Sequence, residues 1–375
     1  MTSEWHEVPL RELVGYISKG IAPSYAEEAS ETTIRVLNQK CNRNFRISYG
    51  DSRLHDTLKK KVPPERYVKP DDILINSTGA GTAGRIAQIE DVPSATTIDG
   101  HMILIRSNRK VTQKFLGYAL KAHQWEVLQL DEGSTGQTEL NRDRLLDEIM
   151  INYPVSFDEQ NAIVGTLESI DRKLIVNEQL NDNLQQQAQA IYSSMFIDNP
   201  DPAWSHGHLS DLITVKYGKD HKKLADGIYP VYGSGGIMRH VERPLYNKES
   251  VLIPRKGTLN NVVYVNQPFW SVDTMFYTEM KLPNVAKFVY HFVKAKDLAA
   301  MNAGSAVPSM TTDILNAMEV VIPSASALEE FESLVAPMYE AMKANDVQSQ
   351  ALSKMRDALL PKLMSGEIDV SAVRL

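Results

Sequence analysis

Apolar residues along this chain follow two kinds of spacing, and each kind occurs twice. From Ile163 onward they recur at steps of four, three and four residues, the heptad pattern of a helix that packs along another helix. The pattern starts again at Phe331, and the two helical stretches align without a gap. The segments before each stretch have short apolar runs broken by Gly, Pro and Asn, which predict mixed heads with short strands. The chain is therefore predicted to run head, helix, head, helix.

An asparagine interrupts the apolar seam at the same place in both helical stretches, at Asn177 and Asn345. A buried asparagine in a seam lowers stability but fixes the register, because a shifted pairing leaves its amide without a partner. We therefore expect the two helices to pair with each other, with Asn177 near Asn345. Pro337 and Pro361 are expected to kink or end the second helix. The residues expected to form the pairing are Ile163, Leu167, Ile170, Leu174, Asn177, Leu184, Val335, Met338, Met342, Asn345 and Leu352.

Local signals place elements of the first head and the starts of both helices. Residues 72–75 and 101–106 are short apolar runs that predict strands, and residues 111–130 predict a helix that covers them. Ser156 and Ser326 are each followed three residues later by Glu, so they predict capping boxes at the two helix starts.

The second head repeats the first loosely. Residues 72–75 match residues 250–253, and Asp99 matches Asp273 at a slightly smaller offset. The recurring Asp predicts a turn or helix cap, with a functional acceptor as the alternative. Because the offset decreases along the head, the second copy is expected to have shorter loops. The predicted segments are the first head 1–154, the first helix 155–200, the second head 201–323 and the second helix 324–375.

Composition is that of a soluble globular protein. The 375 residues are enough for two or more domains, with 43% hydrophobic and 23% charged residues. No run of about 18 apolar residues occurs, and the N-terminus lacks a basic start followed by an apolar stretch. Cys41 is the single cysteine, so it forms no internal disulfide or cysteine-based metal site. We expect a cytoplasmic protein without a membrane segment.

The net charge of −7 is distributed unevenly. Residues 35–69 have ten Lys or Arg against three Asp or Glu, and residues 216–256 have nine against four. Residues 157–196 have two against six. Basic heads on an acidic chain favour binding of a polyanion. The interleaved Asn and Gln favour DNA, because these amides can pair with adenine as Arg pairs with guanine. A merely solvated charged surface is the alternative.

The basic stretches supply the candidate DNA-binding residues. Lysines are expected to hold mostly phosphates, and arginines and amides to read bases. The candidates are Arg35, Lys40, Arg43, Arg46, Lys59, Lys60 and Lys61 in the first head and Lys219, Lys222, Lys223, Arg255 and Lys256 in the second.

No pattern predicts catalysis or a bound metal ion. Residues 79–84 (GAGTAG) resemble a phosphate-binding loop, but Arg85 and Ile86 stand where a nucleotide-binding loop continues with Lys and Ser or Thr. A tight turn is the main interpretation, and approach of the backbone to a nucleic-acid phosphate is the alternative. His206 and His208 are expected in a surface loop.

Together these features resemble the specificity subunit of type I restriction-modification enzymes over essentially the whole chain. The order head, helix, head, helix is the most specific part of the resemblance. The stretches that carry it are residues 5–20, 71–75 (DDILI), 133–138 (GSTGQT), 149–154 (IMINYP), 159–163 (EQNAI), 204–218 and 359–368 (LLPKLMSGEI).

The resemblance implies an α+β fold, in which two α/β target-recognition domains are joined by two long antiparallel coiled-coil helices as a pseudo-two-fold internal repeat. Each head would read one half of a bipartite sequence in double-stranded DNA. The helices would set the gap and dock two modification subunits, which methylate adenine with S-adenosylmethionine. Restriction subunits, the motor nucleases, would join the full complex. The chain itself would be non-catalytic, with no cofactor or metal of its own.

Two interpretations from other classes remain. A stand-alone DNA enzyme dependent on nucleotide or S-adenosylmethionine would need the residues missing after Gly84, or an adenine-methylase motif that the chain lacks. A coiled-coil scaffold without a DNA role predicts no affinity for DNA even at low salt.

Overall fold

The protein consists of two compact units, each of which combines one head with parts of both long helices. The structure, a computed structural model, describes residues 4–132, 139–301 and 308–370. The first unit comprises residues 1–176 and 348–375, and the second comprises residues 177–347. The units group the chain by packing, whereas the four segments predicted from the sequence follow chain order.

The first unit is built on two four-stranded sheets. One has the strand order β2-β11-β8-β9 and is antiparallel, and the other has the order β10-β4-β7-β3 with a parallel β10–β4 pair. Its helices are α1 (Gln113–Ala122), α2 (Gln124–Val127), α3 (Arg142–Glu148) and the start of α4 (Phe157–Ser193). Its strands are β1 (Trp5–Pro9), β2 (Val14–Lys19), β3 (Tyr25–Ala26), β4 (Thr33–Leu37), β5 (Asn42–Arg43), β6 (Arg46–Ile47), β7 (Arg53–Asp56), β8 (Ile73–Asn76), β9 (Ile86–Gln88), β10 (Thr96–Ile98), β11 (Met102–Ser107), β12 (Asp131–Glu132), β13 (Glu139–Leu140) and β14 (Met150–Pro154).

The second unit follows the same plan with fewer strands. Its antiparallel sheet has the order β16-β22-β19-β20, and the second sheet has the order β18-β17-β21 with a parallel β17–β21 pair. Its helices are α5 (Leu209–Leu212), α6 (Ala286–Lys294), α7 (Thr312–Asn316) and most of α8 (Ala325–Met364). Its strands are β15 (Ser205–His208), β16 (Ile213–Tyr217), β17 (Asp226–Gly233), β18 (Gly236–Val241), β19 (Ser250–Pro254), β20 (Val263–Val265), β21 (Trp270–Ser271), β22 (Met275–Met280) and β23 (Glu319–Ile322).

The two heads repeat each other strand by strand. β2, β11, β8 and β9 have the same order as β16, β22, β19 and β20, and the first strand pairs with the last in both heads, β1 with β14 and β15 with β23. A Cβ on Gly20 would lie 2.1 Å from the Ile98 carbonyl oxygen, and one on Gly218 would lie 2.0 Å from that of Val272. Both heads therefore need a glycine where the chain leaves the first core strand. The repeat predicted from the sequence is present in the sheet topology.

The core of each unit includes residues from both long helices. In the first unit Ile163 and Leu167 of α4 pack in one cluster with Leu360 and Leu363 of α8 and the buried face of the antiparallel sheet. In the second unit Tyr192 and Phe196, at the far end of α4 and just beyond it, pack with Phe331 and Val335 of α8. Each head is thus closed by the beginning of one long helix and the end of the other.

A buried carboxylate joins the first head to the helices. Asp171 of α4 accepts hydrogen bonds from the Tyr118 hydroxyl and the Lys121 ammonium, both at 2.9 Å, and from Arg356 Nη1 at 3.1 Å. Burial alone would raise the pKa of Asp171, but these cations and the hydroxyl outweigh it and hold that pKa below its ordinary value. Asp171 is therefore ionised in the folded protein.

At the equivalent place in the second unit, a tyrosine of α8 contacts a buried histidine. Tyr339 falls on Asp171 when the two helical stretches are aligned, and its hydroxyl is 2.9 Å from His291 Nε2. On the other side of the ring, His291 Nδ1 lies 2.7 Å from the Gln189 side-chain oxygen. Burial lowers the pKa of His291 to about 4. The ring is therefore neutral, with Nδ1 donating to Gln189 and Nε2 accepting from Tyr339.

The asparagines of the seam meet inside the second unit. Asn177 Nδ2 donates to the Asn345 carbonyl oxygen at 3.4 Å, and Asn345 Nδ2 donates to Asn181 Oδ1 at 2.8 Å. Asn181 Nδ2 in turn lies 3.4 Å from the Met342 carbonyl oxygen and 2.8 Å from Asp346 Oδ1. Asn177 of α4 contacts Asn345 of α8, and the later Asn181 contacts the earlier Met342, so the two helices run antiparallel in this unit. Each residue named above for helix pairing is buried or half-buried.

Both prolines of α8 lie inside a continuous helix, so the expectation that they end or shorten it was wrong. The helix runs from Ala325 to Met364 through Pro337 and Pro361. Both prolines are exposed. The carbonyl left without an amide donor one turn earlier is therefore on a face where water can replace the missing hydrogen bond.

The N-terminal cap of α8 is Ser324 and not Ser326. Ser324 Oγ accepts from the Ala327 amide at 3.3 Å, as Ser156 Oγ accepts from the Glu159 amide at 3.4 Å at the start of α4. Ser324 falls on Ser156 in the gap-free alignment of the two helical stretches, so that alignment leads to the correct cap where the local motif does not.

Two further local predictions were wrong. The stretch 111–130 is two helices, α1 and α2, broken at His123, and α2 buries Val127 while Trp125 is 75% exposed. His206 and His208 lie on strand β15 and not in a loop. The sequence pattern does not predict this strand, because it is only four residues long and lacks the alternation of apolar and polar residues. In the described ranges, no helix is both long and apolar enough to cross a membrane.

The neutral His291 predicts that the second unit loses stability in mild acid. Its pKa of about 4 lies below the ordinary 6.5, so between these pH values the unfolded chain binds a proton that the folded chain does not. Hydrogen–deuterium exchange of the α6 amides, corrected for intrinsic rates, gives the free energy of opening. This free energy should decrease by about 1.4 kcal/mol for each pH unit by which the pH is lowered in this window. In His291→Gln this component should vanish, whereas exposed His240→Gln should behave as wild type. Equal slopes in wild type and His291→Gln would contradict the assignment.

Candidate nucleic-acid interface

The cations predicted in the first head lie on the β4–β7 sheet and the loops around it. Arg35 is on β4, Lys40 is in the turn that follows, and Arg43 faces Arg46 across the β5–β6 ribbon. All are exposed except Arg46, which is half-buried. Arg35 Nη1 donates to Ser52 Oγ at 2.9 Å, and Arg43 Nε donates to the Lys40 carbonyl oxygen at 3.3 Å. These contacts orient the two arginines without neutralising them.

The three consecutive lysines occupy a well-anchored turn after β7. Asp56 Oδ1 accepts from the Leu58 amide at 2.9 Å, and the Asp56 carbonyl oxygen accepts from the Lys60 amide at 3.2 Å. Lys60 Nζ donates to the Ala22 carbonyl oxygen at 2.8 Å, so its ammonium is bound to its own head. Lys59 and Lys61 are exposed on the turn, and Lys59 Nζ lies 3.9 Å from Asp56 Oδ2, a long and solvated ion pair that leaves its ammonium accessible. These two lysines are the stronger phosphate-binding candidates of the three.

In the second head the predicted cations form two groups. Lys219, Lys222 and Lys223 are exposed in the turn after β16, where Asp220 Oδ1 accepts from the Lys222 amide at 3.0 Å. Arg255 and Lys256 directly follow β19. The first group is tied to the body by the Lys219 backbone, whose carbonyl oxygen accepts from Trp270 Nε1 at 2.8 Å.

Both heads build the same corner from these segments. In the first head the Leu140 amide donates to the Ser77 carbonyl oxygen at 2.8 Å, and in the second the Met310 amide donates to that of Arg255 at 2.9 Å. In the first head Lys19 also forms an ion pair with Glu139. We call each of these places the corner: residues 19–20, 77–85 and 139–140 in the first head, and residues 217–218, 255–261 and 309–310 in the second. The repeated Gly-Ser motif lies just before residues 139–140 in the first head and residues 309–310 in the second. Residues 133–138 and 304–307, which carry it, lie outside the described residues.

The glycine-rich loop of the first corner is a tight turn, as the main interpretation held. The amides of Thr82 and Ala83 both donate to the Gly79 carbonyl oxygen at 2.9 Å, and the Gly84 amide donates to that of Asn76 at 2.8 Å. Gly79, Gly81 and Gly84 have φ values of 117°, 68° and 84°. Amides used within the turn are not available to a phosphate.

A polar network lies beside this turn and was not predicted. Thr78 Oγ1 lies 2.8 Å from His101 Nδ1 and 3.3 Å from Gln39 Oε1. The buried Asp99 accepts from the His101 amide at 2.9 Å, so its role as a turn cap is confirmed. Burial raises the pKa of Asp99, although the charges of His101 and Arg53 oppose this effect. The contact of Gln39 and His101 with Thr78 could not be predicted from a local motif, because the three residues follow or precede strands β4, β11 and β8, which are distant in sequence.

Arg53 is the most distinctive residue that the sequence analysis missed. Its guanidinium carbon lies 3.4 Å from the centre of the Tyr25 ring, and both side chains reach the surface. Arg53 is within the basic stretch 35–69, but Tyr25 lies outside it, so only the pairing of β3 with β7 reveals the contact. In the second head Arg255 lies 5.3 Å above the ring of Tyr217 and donates to the Asp273 carbonyl oxygen at 3.2 Å.

Comparison with known proteins identifies the family. The family model described as type I restriction modification DNA specificity domain matches residues 2–186 and again residues 203–330. The type I restriction enzyme MjaIX specificity subunit of Methanocaldococcus jannaschii is 25% identical over 369 residues, covering 86% of this chain and 83% of that protein. The HindI specificity subunit of Haemophilus influenzae is 30% identical over 92 residues, which are 24% of this chain and 18% of that one.

The fold is also that of a solved relative. The crystal structure of a type I restriction-modification system S subunit from M. genitalium has a TM-score of 0.60 and 18% identity, covering 97% of this chain and 99% of that one. The chain belongs to the family of type I restriction-modification specificity subunits. These subunits are the non-catalytic, DNA-specifying members of their systems, and the resemblance read from the sequence is confirmed. Among the described residues, no group of three or more His, Cys, Asp or Glu side chains is arranged to hold a metal ion.

The exposed lysines of the turn after β7 should contribute to the salt dependence of DNA binding. In Lys59→Ala/Lys61→Ala, the slope of log affinity for a duplex against log salt should decrease by about 0.9 for each phosphate that the variant no longer binds. The matched control is Lys110→Ala/Lys362→Ala, whose lysines are paired with Glu12 at 3.3 Å and Glu367 at 3.0 Å. An unchanged slope in the first variant would remove this turn from the interface.

Proposed function

We propose that this chain reads a bipartite target in double-stranded DNA, one half with each head, for a type I restriction-modification complex in the cytoplasm. The observation that carries the proposal is the repeat of one head topology, each copy bearing its own set of exposed cations. Two copies of one scaffold with different surface residues are suited to read two different sequences. The basic charge of the heads supports DNA as the ligand.

The long helices are proposed to act as a coiled-coil spacer between the two half-sites and to relate the two halves by a pseudo-two-fold repeat. The antiparallel hydrogen bonds around Asn177, Asn181 and Asn345 support this role, because they fix the register of the seam. A helix pair of fixed register has a fixed length, which a ruler for DNA requires.

The same helices are proposed to dock two modification subunits. α4 leaves Val176 and Leu180 exposed at 38% and 45%, and α8 leaves Leu334, Val347 and Met355 exposed at 46%, 62% and 53%. Val176 and Leu180 are one helical turn apart on α4, so they can form a small apolar contact for a partner, which supports this role. Adenine methylation would then take place on those subunits, which would bind S-adenosylmethionine, and restriction subunits would join them to cut unmodified DNA.

Long-read sequencing of methylated host DNA, with the gene present and deleted, tests this function. The expected result is that adenine methylation at one split motif disappears with the gene. Methylation at that motif in the deletion strain would exclude the proposed role, as would a reconstituted complex that binds no duplex selectively.

Shortening both helices by one heptad should shorten the gap in the target. Deleting residues 175–181 and 342–348, which face each other around Asn177 and Asn345, removes about 10 Å of paired helix at about 1.5 Å per residue. The recognised half-sites should stay the same, while the gap decreases by about three base pairs of about 3.4 Å each. As a control, replacing these fourteen residues with a different heptad sequence of equal length should leave the gap unchanged. A shortened chain that methylates the original motif would contradict the spacer role.

A further inference from the structure

Each head presents one arginine that rests on a tyrosine ring and has no carboxylate partner among the described ion pairs. In the first head Arg53 Cζ lies 3.4 Å from the centre of the Tyr25 ring, and Tyr25 is 39% exposed. In the second head Arg255 Cζ lies 5.3 Å from that of Tyr217, which is 52% exposed. A guanidinium stacked on an aromatic face keeps its donors directed outward along its edge.

Other arginines of the heads are engaged differently. Arg106 also lies 5.3 Å above a tyrosine, Tyr16, but its Nε and Nη2 both donate to the buried Asp72 at 2.7 Å. Arg239 Nη2 donates to Asp226 at 2.6 Å. The edges of these guanidinium groups are used to hold the fold together. Arg53 and Arg255 each lie over a tyrosine ring and have an edge that no described carboxylate neutralises.

The two stacked arginines also stand beside matching residues of the repeat. Burial raises the pKa of Asp99, and the positive charge of the nearby Arg53 acts to lower that pKa. Arg255 Nη1 donates to the carbonyl oxygen of Asp273, the counterpart of Asp99 in the second head. Arg53 comes from β7 and Arg255 from the residue directly after β19, so the heads bring an arginine to this place from different segments of the scaffold.

The chemistry of a fixed guanidinium edge indicates one base. Two parallel donors match the O6 and N7 acceptors of guanine in the major groove, which is the commonest specific contact between proteins and DNA. A phosphate can be held by a lysine as a point charge, whereas the edge of a base requires two donors in a fixed orientation. Preorganised orientation favours the reading of a base edge.

We propose that Arg53 and Arg255 are specificity-determining residues, each reading one guanine in the half-target bound by its own head. The proposal rests on the proposed function and deepens it by assigning a residue and a base to each half-site. It also assigns Tyr25 and Tyr217 as positioning residues that orient the guanidinium planes.

The test uses the assembled complex and duplexes that contain the methylation motif found in the host. Guanines of each half-target are replaced one at a time by 7-deazaguanine, which lacks the N7 acceptor. For the wild-type complex, affinity should fall at one guanine in each half, by part of the roughly 5- to 150-fold range for a complete bidentate contact, because O6 remains as an acceptor. In Arg53→Gln the ratio between natural and substituted duplex should approach one in the first half-target only, and in Arg255→Gln in the second only.

Arg142→Gln provides the matched control, because Arg142 is an exposed arginine on α3 outside both corners. It should preserve the ratios at every position. Since Arg53 is exposed, its replacement by Gln is expected to leave the core of the head intact. Retention of binding to the other half-target in each variant shows that the chain is folded.

Three results would overturn the proposal. The wild-type complex could be insensitive to 7-deazaguanine at every position of both halves. The variants could keep the wild-type ratios, or they could weaken binding to all duplexes by one common factor, which is the behaviour of a phosphate contact. Each of these leaves the proposed function standing if the complex still selects its bipartite motif. Failure of the wild-type complex to select any split motif would instead reject the proposed function itself.

Discussion

The structure depends on the way in which each head completes its hydrophobic core with helical residues that are remote in sequence. Leu360 and Leu363 pack with the first head, and Tyr192 and Phe196 pack with the second. Burial of apolar side chains is the main stabilising term in folding, so neither head has its full core until both long helices have formed and paired. The pairing that would set the distance between half-sites is thus built into the folding of the heads, and a change in helix register would disturb both cores.

The polar contacts between heads and helices show how the two copies diverged around this constraint. At one position of the repeat the first unit has Asp171, held by Lys121 and Arg356, and the second has Tyr339, which donates to the neutral His291. Each solution satisfies its buried polar atoms, but by different chemistry. The first unit relies on paired charges and is stabilised while its carboxylate stays ionised. The second relies on neutral hydrogen bonds and is stabilised while its imidazole stays unprotonated.

The long helices, the pairing of Asn177 with Asn345 and the main strands of the first head could be predicted from the sequence, because these depend on local periodicity. The gap-free alignment of the two helical stretches was more informative than local motifs, since it leads to Ser324 as the cap where the motif indicated Ser326. The tolerated prolines of α8 could not be predicted, because their effect depends on which face of the helix meets water. The candidate site was predictable as basic stretches only. The stacking of Arg53 on Tyr25 and the anchoring of Lys60 depend on contacts between segments that are distant in sequence.

The first unit also joins segments that are made early and late in translation. β1 begins at Trp5, a Cβ on Gly366 would lie 2.9 Å from the Trp5 ring, and Val370 belongs to the same buried cluster as the sheet of the first head. Residues 360–370 are therefore a structural part of the domain that is synthesised first. During translation that domain must wait for these residues before its core can close. A premature stop between codons 348 and 360 would therefore damage the domain encoded earliest, although all residues of the second unit, 177–347, would already have been made.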